Sequence, residues 1–305
     1  MLRNFFKRIY ESSEFGYGII NPFFKLYKYF KYDLKSERET NKQRFRNNFG
    51  RELDLENPQT LNEKINWLKL NDRSPLHTKC ADKFTVRHYI ADKIGEEYLI
   101  PLLYHTANPY DLVAENLPDE PFIIKTNHDS GGVFIVRNKS KLDYRKAQLD
   151  FKRFLNKNYY QESKEWQYKD IEPRILVERL LLNKEGKIPF DYKMHCFNGK
   201  LNFTQVDLDR QENHTRNLYD REWEFIPCQW KYKNGRQLER PSNYEKMKRL
   251  AEDIAKDFIY VRVDFYSVQN QIYFGELTFH SESGLSKFDP PEYDLILGKQ
   301  LNLPI

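Results

Sequence analysis

The sequence predicts an α+β protein, and three observations carry that expectation. Seven short runs rich in Val, Ile, Phe and Tyr are bounded by turn residues and read as strands. Signatures of the form Ser/Thr-x-x-Glu stand ahead of stretches with apolar residues at helical spacing. A hydrophobic content of 39% over 305 residues supplies one large core or two modest ones, which excludes disorder throughout.

Taken in order, residues 1–35 interleave Phe5, Phe6, Tyr10, Tyr29 and Phe30 with Arg3, Lys7, Arg8, Lys28 and Lys31. The blend reads as a helical segment packing an aromatic face on the rest of the protein, with peripheral contact to an anionic membrane as the second reading. Thr60-Leu-Asn-Glu63 has the form of a capping box, and Ile65, Leu68 and Leu70 follow it, so a helix starts there. Residues 82–94 place Val86, Tyr89, Ile90 and Ile94 on one face, with Gly95 positioned to end the helix. Asp143 to Tyr160 reads as a charged helix between strand groups. Ser242-Asn-Tyr-Glu245 repeats the capping box ahead of Met247, Leu250, Ala251, Ile254 and Phe258. The strands are Pro121 to Thr126, Val133 to Arg137, Arg174 to Leu181, Tyr192 to Phe197, Lys200 to Val206, Tyr260 to Tyr266 and Gln271 to Thr278. Asn198-Gly199 suits a tight hairpin turn that needs positive φ, so the later half is largely antiparallel.

Composition excludes several classes. Lys+Arg 50 against Asp+Glu 45 leaves +5, too small an excess to point to nucleic acid. No run approaches the roughly 18 apolar residues of a membrane span, and no leader-like apolar run opens the chain, so a cytoplasmic protein is expected. Cys80, Cys196 and Cys228 lack C-x-x-C spacing and read as buried reduced thiols. The P-loop, G-x-G-x-x-G, G-x-S-x-G and H-E-x-x-H signatures are all missing.

Three segments carry chemistry. In Pro121 to Val136, Lys125 ends an apolar strand and Ser130-Gly131-Gly132 follows in a polar turn. Glycines let backbone N–H groups approach phosphate oxygens beside a lysine charge, while a plain hairpin explains the same residues equally. In the strands at 260–266 and 271–278, period two puts Arg262 with Asp264, and Glu276 with Thr278, on common faces. Two carboxylates, a cation and a hydroxyl then share one surface if the strands pair in register. Oxygen ligands of this kind suit Mg²⁺; an Arg262 ion pair on a solvated face is the alternative. Between these lie Glu178 at the end of an apolar strand, as a nucleotide edge or a surface glutamate, and Asp191-Tyr-Lys193, facing phosphate or solvent.

In this order the segments resemble the ATP-grasp superfamily, in particular its TupA-like branch, associated with bacterial surface-polysaccharide and teichuronopeptide biosynthesis. Cys80-Ala-Asp-Lys83, Ile94 to Leu102, Lys125 with Ser130-Gly131-Gly132, Glu178 to Leu180, Asp191 to Lys200, Asp209-Arg210 and Asn217 to Trp223 carry the resemblance. Arg262-x-Asp264 and Glu276-x-Thr278 are similar to the metal-binding strands of D-alanyl-D-alanine ligases, with Thr278 standing where those have an amide. The resemblance implies an ATP-grasp fold, two α+β subdomains enclosing ATP after an N-terminal helical region. The expected parts are 1–59, helical; 60–120, the first α/β part; 121–181, the glycine-loop subdomain; and 182–305, the metal- and substrate-binding subdomain.

It further implies roles: Lys83 and Lys125 on the α/β-phosphates, Ser130, Gly131 and Gly132 as phosphate lid, Glu178 and Leu180 as nucleotide hinge, and Asp191 toward the ribose. Lys193 serves the γ-phosphate and Arg262 the acyl phosphate, while Asp264, Glu276 and Thr278 hold Mg²⁺. The implied reaction is ATP-dependent amide formation through an acyl phosphate, joining an amino acid to a uronic acid of a surface glycan. Asp207-Leu-Asp209 leaves a metal-dependent glycosyltransferase open, and a sugar kinase or a noncatalytic membrane-surface assembly factor are further alternatives.

Overall fold

A computed structural model describes residues 21–23, 26–27, 35–129, 131–210 and 213–305. Most of the aromatic and basic N-terminal stretch, and Ser130 of the expected phosphate lid, lie outside these residues. Helices are α1 (Glu37–Phe49), α2 (Leu61–Asn71), α3 (Pro75–Ala81), α4 (Val86–Ile94), α5 (Tyr144–Leu155), α6 (Tyr159–Ser163), α7 (Tyr244–Ala255) and α8 (Glu292–Gln300). Strands are β1 (Leu102–Thr106), β2 (Phe122–Thr126), β3 (Val133–Val136), β4 (Ile175–Arg179), β5 (Asp191–Phe197) and β6 (Lys200–Leu208). There follow β7 (Thr215–Asp220), β8 (Phe225–Ile226), β9 (Gln229–Trp230), β10 (Tyr260–Val268), β11 (Gln271–Thr278) and β12 (Phe288–Asp289). No helix among the described residues is long and apolar enough to cross a membrane.

The capping box at α2 forms as expected: the Thr60 side chain accepts from the Glu63 N–H, and the Glu63 carboxylate accepts from the Thr60 N–H. At α7 it does not. Asn243 is the N-cap there without a capping bond, its side chain being taken by Ser267 and the Asn270 carbonyl, and the Ser242 hydroxyl donates to Asn270 Oδ1. The single charged helix expected over 143–160 is two, α5 and α6. The Asn198-Gly199 turn joins β5 and β6 with φ of 49° and 80°, the left-handed pair such a hairpin needs.

Two antiparallel sheets organise the chain. The smaller has the order β1-β4-β2-β3 and packs Phe122, Ile124, Ile175 and Val177 against Ala147 and Phe151 of α5. Strand β1 thus joins the sheet of the glycine loop, although its sequence did not read as a strand. The larger sheet has the order β11-β10-β5-β6-β7-β8. One of its faces buries Met194, Cys196, Val206, Val261, Val263 and Phe265 under α4 and α7. On the opposite face, Phe197, Phe203, Leu218 and Tyr260 are covered by Leu61, Ile65 and Leu68 of α2. That apolar cover ends partway along the strands, and the rest of the face carries charged side chains. All three cysteines are free and buried.

Candidate active site

The carboxylate pair depends on a β-bulge. In β11, Ile272 and Phe274 point into the core, and strict alternation would send Glu276 the same way. The register slips between Asp264 and Phe265: Asp264 faces Glu276, while Phe265 faces Phe274, which leaves Gly275 as the extra residue. Leu277 then takes the core face, and Glu276 and Thr278 the charged face. A Cβ at Gly275 would lie 3.1 Å from the Tyr266 ring and 3.2 Å from the Asp264 carbonyl oxygen, so the bulge has little room for a side chain.

Arg262 binds Asp264 through two hydrogen bonds, Nε to Oδ1 and Nη2 to Oδ2, both 2.7 Å, and reaches Glu276 Oε1 at 3.0 Å. Lys193 Nζ donates to Asp264 Oδ2 at 2.9 Å and to Asp191. The ion pair that the sequence left as an alternative is therefore present, but with Asp264 buried rather than on a solvated face. Burial raises the Asp264 carboxyl above its usual range; Arg262 and Lys193 offset this only in part, and Glu276 adds to it. At Glu276 burial also acts upward, but Lys83, Arg262, Lys193 and Lys125 together hold its carboxyl below the ordinary value.

Two of those cations come from outside the larger sheet. Lys125 of β2 binds Glu178 Oε2 at 2.6 Å, and Arg87 lies 3.6 Å from Glu178 Oε1. Lys83 sits between α3 and α4, a link stitched to the end of β2: its N–H donates to the Asn127 carbonyl, and Asn127 Nδ2 donates to Asp82 Oδ1 at 2.8 Å. Lys83 Nζ donates to the Asp129 carbonyl at 2.6 Å; burial lowers its pKa, with Glu276 the strongest opposing charge. Lys83 and Glu276 thus sense each other's charge.

The glycine turn follows β2, the strand of Lys125. Gly131 and Gly132 have φ of 125° and 62°, and a Cβ on Gly132 would meet the Phe154 ring at 3.2 Å. Glycine suits the backbone at both positions, and at Gly132 the space as well. At the expected hinge, Glu178 is engaged by its two cations, and the Leu180 N–H donates to the Pro121 carbonyl, so Leu180 offers its carbonyl rather than its amide.

The charged face continues beyond the residues read from sequence. Arg210 Nη2 binds Asp191 at 2.6 and 2.7 Å and Asp207 at 3.0 Å. Arg216 Nε binds Asp207 at 2.6 Å, and its Nη1 reaches Glu282 at 2.9 Å, which in turn takes Lys231 at 2.7 Å. Burial would raise the Asp207 carboxyl, but Arg216, Lys193 and Arg210 hold it well below its usual range. Asp207 is buried and fully paired, and Asp209 is exposed in a left-handed conformation, so the pair does not form a two-carboxylate metal site. This removes the feature that favoured a glycosyltransferase.

Beyond β11 the backbone takes three consecutive left-handed residues, Glu282, Ser283 and Gly284, with φ of 49°, 57° and 63°. For Glu282 and Ser283 this costs on the order of 1–2 kcal/mol each, so neighbours must hold the turn. Buried Lys69 of α2 does so, donating to the Ser283 carbonyl at 2.8 Å and hydroxyl at 3.0 Å, and Ser283 Oγ donates to Glu165 at 2.8 Å. Burial brings the Lys69 pKa down to about 8.

No group of three or more His, Cys, Asp or Glu side chains suited to a metal occurs among the described residues. Mg²⁺ needs only one or two protein carboxylates when phosphate oxygens and water complete its shell. Asp264 and Glu276, directly opposed across two strands, meet that requirement, and the Glu276 side chain is 39% exposed. Thr278 shares their face, opposite Arg262 in the register.

Two antiparallel sheets, one carrying a lysine and a glycine turn and the other a cross-strand carboxylate pair, fit a protein of the ATP-grasp class. The chain belongs to the TupA-like ATP-grasp family, whose pattern it matches over residues 63–302. No curated protein sequence is a significant match. Among solved structures, D-alanine–D-alanine ligase from Bacillus anthracis is similar at 15% identity, over 72% of this chain and 66% of that one, with a TM-score of 0.40. PurK, an N5-carboxyaminoimidazole ribonucleotide synthetase bound to ADP, gives 12%, 72% and 51%, with 0.43. The ATP-grasp ligase PsnB, complexed with a phosphomimetic variant of its minimal precursor, Mg and ADP, gives 10%, 72% and 58%, with 0.39. The aligned region spans between half and two-thirds of each of these proteins.

Proposed function

We propose that this protein is an ATP-dependent carboxylate–amine ligase that joins an amino acid to a uronic acid of a bacterial surface polysaccharide. The cross-strand Asp264–Glu276 pair, with Lys83 and Lys125 near enough to act on the Glu276 charge, supports this reading most strongly. The uronic acid and the glycan context come from the family's association with surface polysaccharides. Because ATP is a cytoplasmic substrate, we place the reaction on that side of the membrane, with residues 1–35 as a peripheral contact.

In this scheme Lys83 and Lys125 take α/β-phosphate oxygens, and Gly131 and Gly132, with Ser130, close over them. The base lies along the strand end at Glu178 and Leu180, and the ribose toward Asp191. Asp264 and Glu276, with Thr278 beside them, would hold Mg²⁺, which neutralises charge on the terminal phosphates when bound. Arg262 then exchanges its Glu276 contact for substrate oxygens. A substrate carboxylate oxygen attacks the γ-phosphorus, the bond to the β,γ-bridging oxygen breaks, and ADP leaves. Lys193 and Arg262 stabilise the charge on the transferred phosphoryl group and the acyl phosphate. An amine then attacks the acyl carbon, inorganic phosphate departs, and the amine proton passes to solvent. The protein contributes position and charge, and the phosphoryl group supplies the leaving group a bare carboxylate lacks.

The test is incubation with ATP, Mg²⁺, glucuronate or galacturonate acceptors and an amino-acid panel, scoring ADP release beside product mass. Release that needs both substrates, with a product mass equal to their sum less one water, is the expected result. A sugar heavier by one phosphoryl group would show a kinase, and consumption of a sugar nucleotide a transferase; either outcome, or no ADP release, would overturn the proposal.

A further inference from the structure

Arg87 has no role in the chemistry above, yet it stands where the nucleotide site must rearrange. It lies in the first turn of α4, whose Val86, Tyr89 and Ile90 are buried in the core of the larger sheet. Its side chain reaches the smaller sheet, where Nη1 lies 3.6 Å from Glu178 Oε1 in β4. At that separation the charges attract, but no hydrogen bond forms. The Arg87 side chain is 17% exposed, and its guanidinium has no hydrogen bond and no second ion pair with the described residues. The Glu178 side chain is 6% exposed, and its other oxygen holds Lys125 Nζ at 2.6 Å. Two cations therefore meet one buried carboxylate. The neighbouring charged side chains do not enter this group: Asp129 takes the Thr126 hydroxyl, Asp82 takes Asn127 and the Phe84 N–H, and Lys83 is held by the Asp129 carbonyl.

This two-to-one arrangement answers a problem of charge. Lys125 cannot serve the triphosphate while it stays on Glu178, and its departure alone would leave a buried carboxylate without a partner, which is costly. Arg87 already stands beside that carboxylate with its donors uncommitted. A shift of about 0.8 Å turns the Arg87–Glu178 contact into a charge-assisted hydrogen bond. Because Arg87 belongs to α4 and Glu178 to the smaller sheet, the same bond also ties the hinge to the core of the larger sheet.

We infer that Arg87 is a positioning residue for nucleotide binding: it takes over Glu178 when Lys125 moves to the phosphates, and so keeps the hinge carboxylate paired in both states. The inference rests on the ligase reading, which puts Lys125 on the phosphates and the base beside Glu178.

The experiment is titration of a non-hydrolysable ATP analogue with Mg²⁺ into the wild-type protein, Arg87→Gln, Arg87→Lys, Glu178→Gln and the Arg87→Gln/Glu178→Gln double variant, with thermal unfolding of each. Arg87→Gln should bind the analogue about tenfold more weakly than the wild type or worse, because Lys125 is then the only cation left to Glu178. Arg87→Lys keeps the charge and should recover most of that loss. In the Glu178→Gln background the Arg87→Gln change should cost less than about twofold, since no carboxylate remains to hold Lys125 back. That comparison separates positioning from direct contact, because an arginine that touches the phosphates would cost the same in both backgrounds. An equal cost in the two backgrounds, or an Arg87→Gln affinity equal to the wild type, would overturn the inference. Affinity that falls only in step with thermal stability across the variants would mark Arg87 as structural and overturn it as well. Failure of the wild type to bind the analogue would instead overturn the ligase reading, and the inference with it.

Discussion

Glu276→Ala is expected to lower ATP turnover by about a thousandfold or more, which corresponds to ~4 kcal/mol of lost transition-state stabilisation. Glu276 is one of the two carboxylates opposed across β10 and β11, so in the proposed scheme its removal would leave Mg²⁺ with Asp264 as its remaining carboxylate ligand. Fold stability should hardly change. The carboxylate is 39% exposed and makes one hydrogen bond among the described residues, to Arg262 at 3.0 Å, so its loss costs within about 1 kcal/mol. Steady-state ADP release and thermal unfolding of the same preparation check both halves. Unimpaired turnover would remove Glu276 from the metal set, and a collapse of the thermal transition would make it a structural residue.

Asp264→Asn should behave in the opposite way and register first as instability. Asp264 is 3% exposed and neutralises both Arg262 and Lys193, which are themselves 11% and 8% exposed. The amide leaves Lys193 with Asp191 and Arg262 with Glu276 as their remaining carboxylates, and losing one charged hydrogen-bond partner of buried groups costs about 1–3 kcal/mol. Urea denaturation should show the midpoint falling with little change in slope. Stability equal to the wild type would mean that the cluster is more hydrated than its burial indicates.

The contrast between these neighbours shows what the sequence can reveal. Period two across 260–266 and 271–278 correctly placed Arg262 with Asp264, and Glu276 with Thr278, because strand alternation is local. The bulge at Gly275 was not legible. Alternation from Ile272 and Phe274 would carry Glu276 into the core, and only cross-strand pairing sets the slip. The Thr60–Glu63 capping box and the Asn198-Gly199 hairpin were legible for the same local reason, whereas Ser242 fits the capping pattern but is claimed by Asn270, 28 positions away.

Strand β7 was missed because Arg216 and Asn217 look solvent-bound in sequence. Both are buried, and Asn217 is satisfied by the backbone of Gly235 and Arg236. The charged patch is held across distances no spacing rule spans: 66 positions from Arg216 to Glu282, and 214 from Lys69 to Ser283. Asp209-Arg210 belonged to the family resemblance, but the partners that orient Arg210, Asp191 and Asp207, become visible only when β5 and β6 lie side by side.

The most direct measurement is a crystal structure of the protein with a non-hydrolysable ATP analogue and Mg²⁺. The triphosphate should lie between the two sheets, with Lys83 and Lys125 on its α/β oxygens and Mg²⁺ bridging its terminal oxygens to Asp264 and Glu276. A nucleotide bound elsewhere, or one between the sheets with both carboxylates still closed on Arg262 and no metal between them and the phosphates, would contradict that assignment.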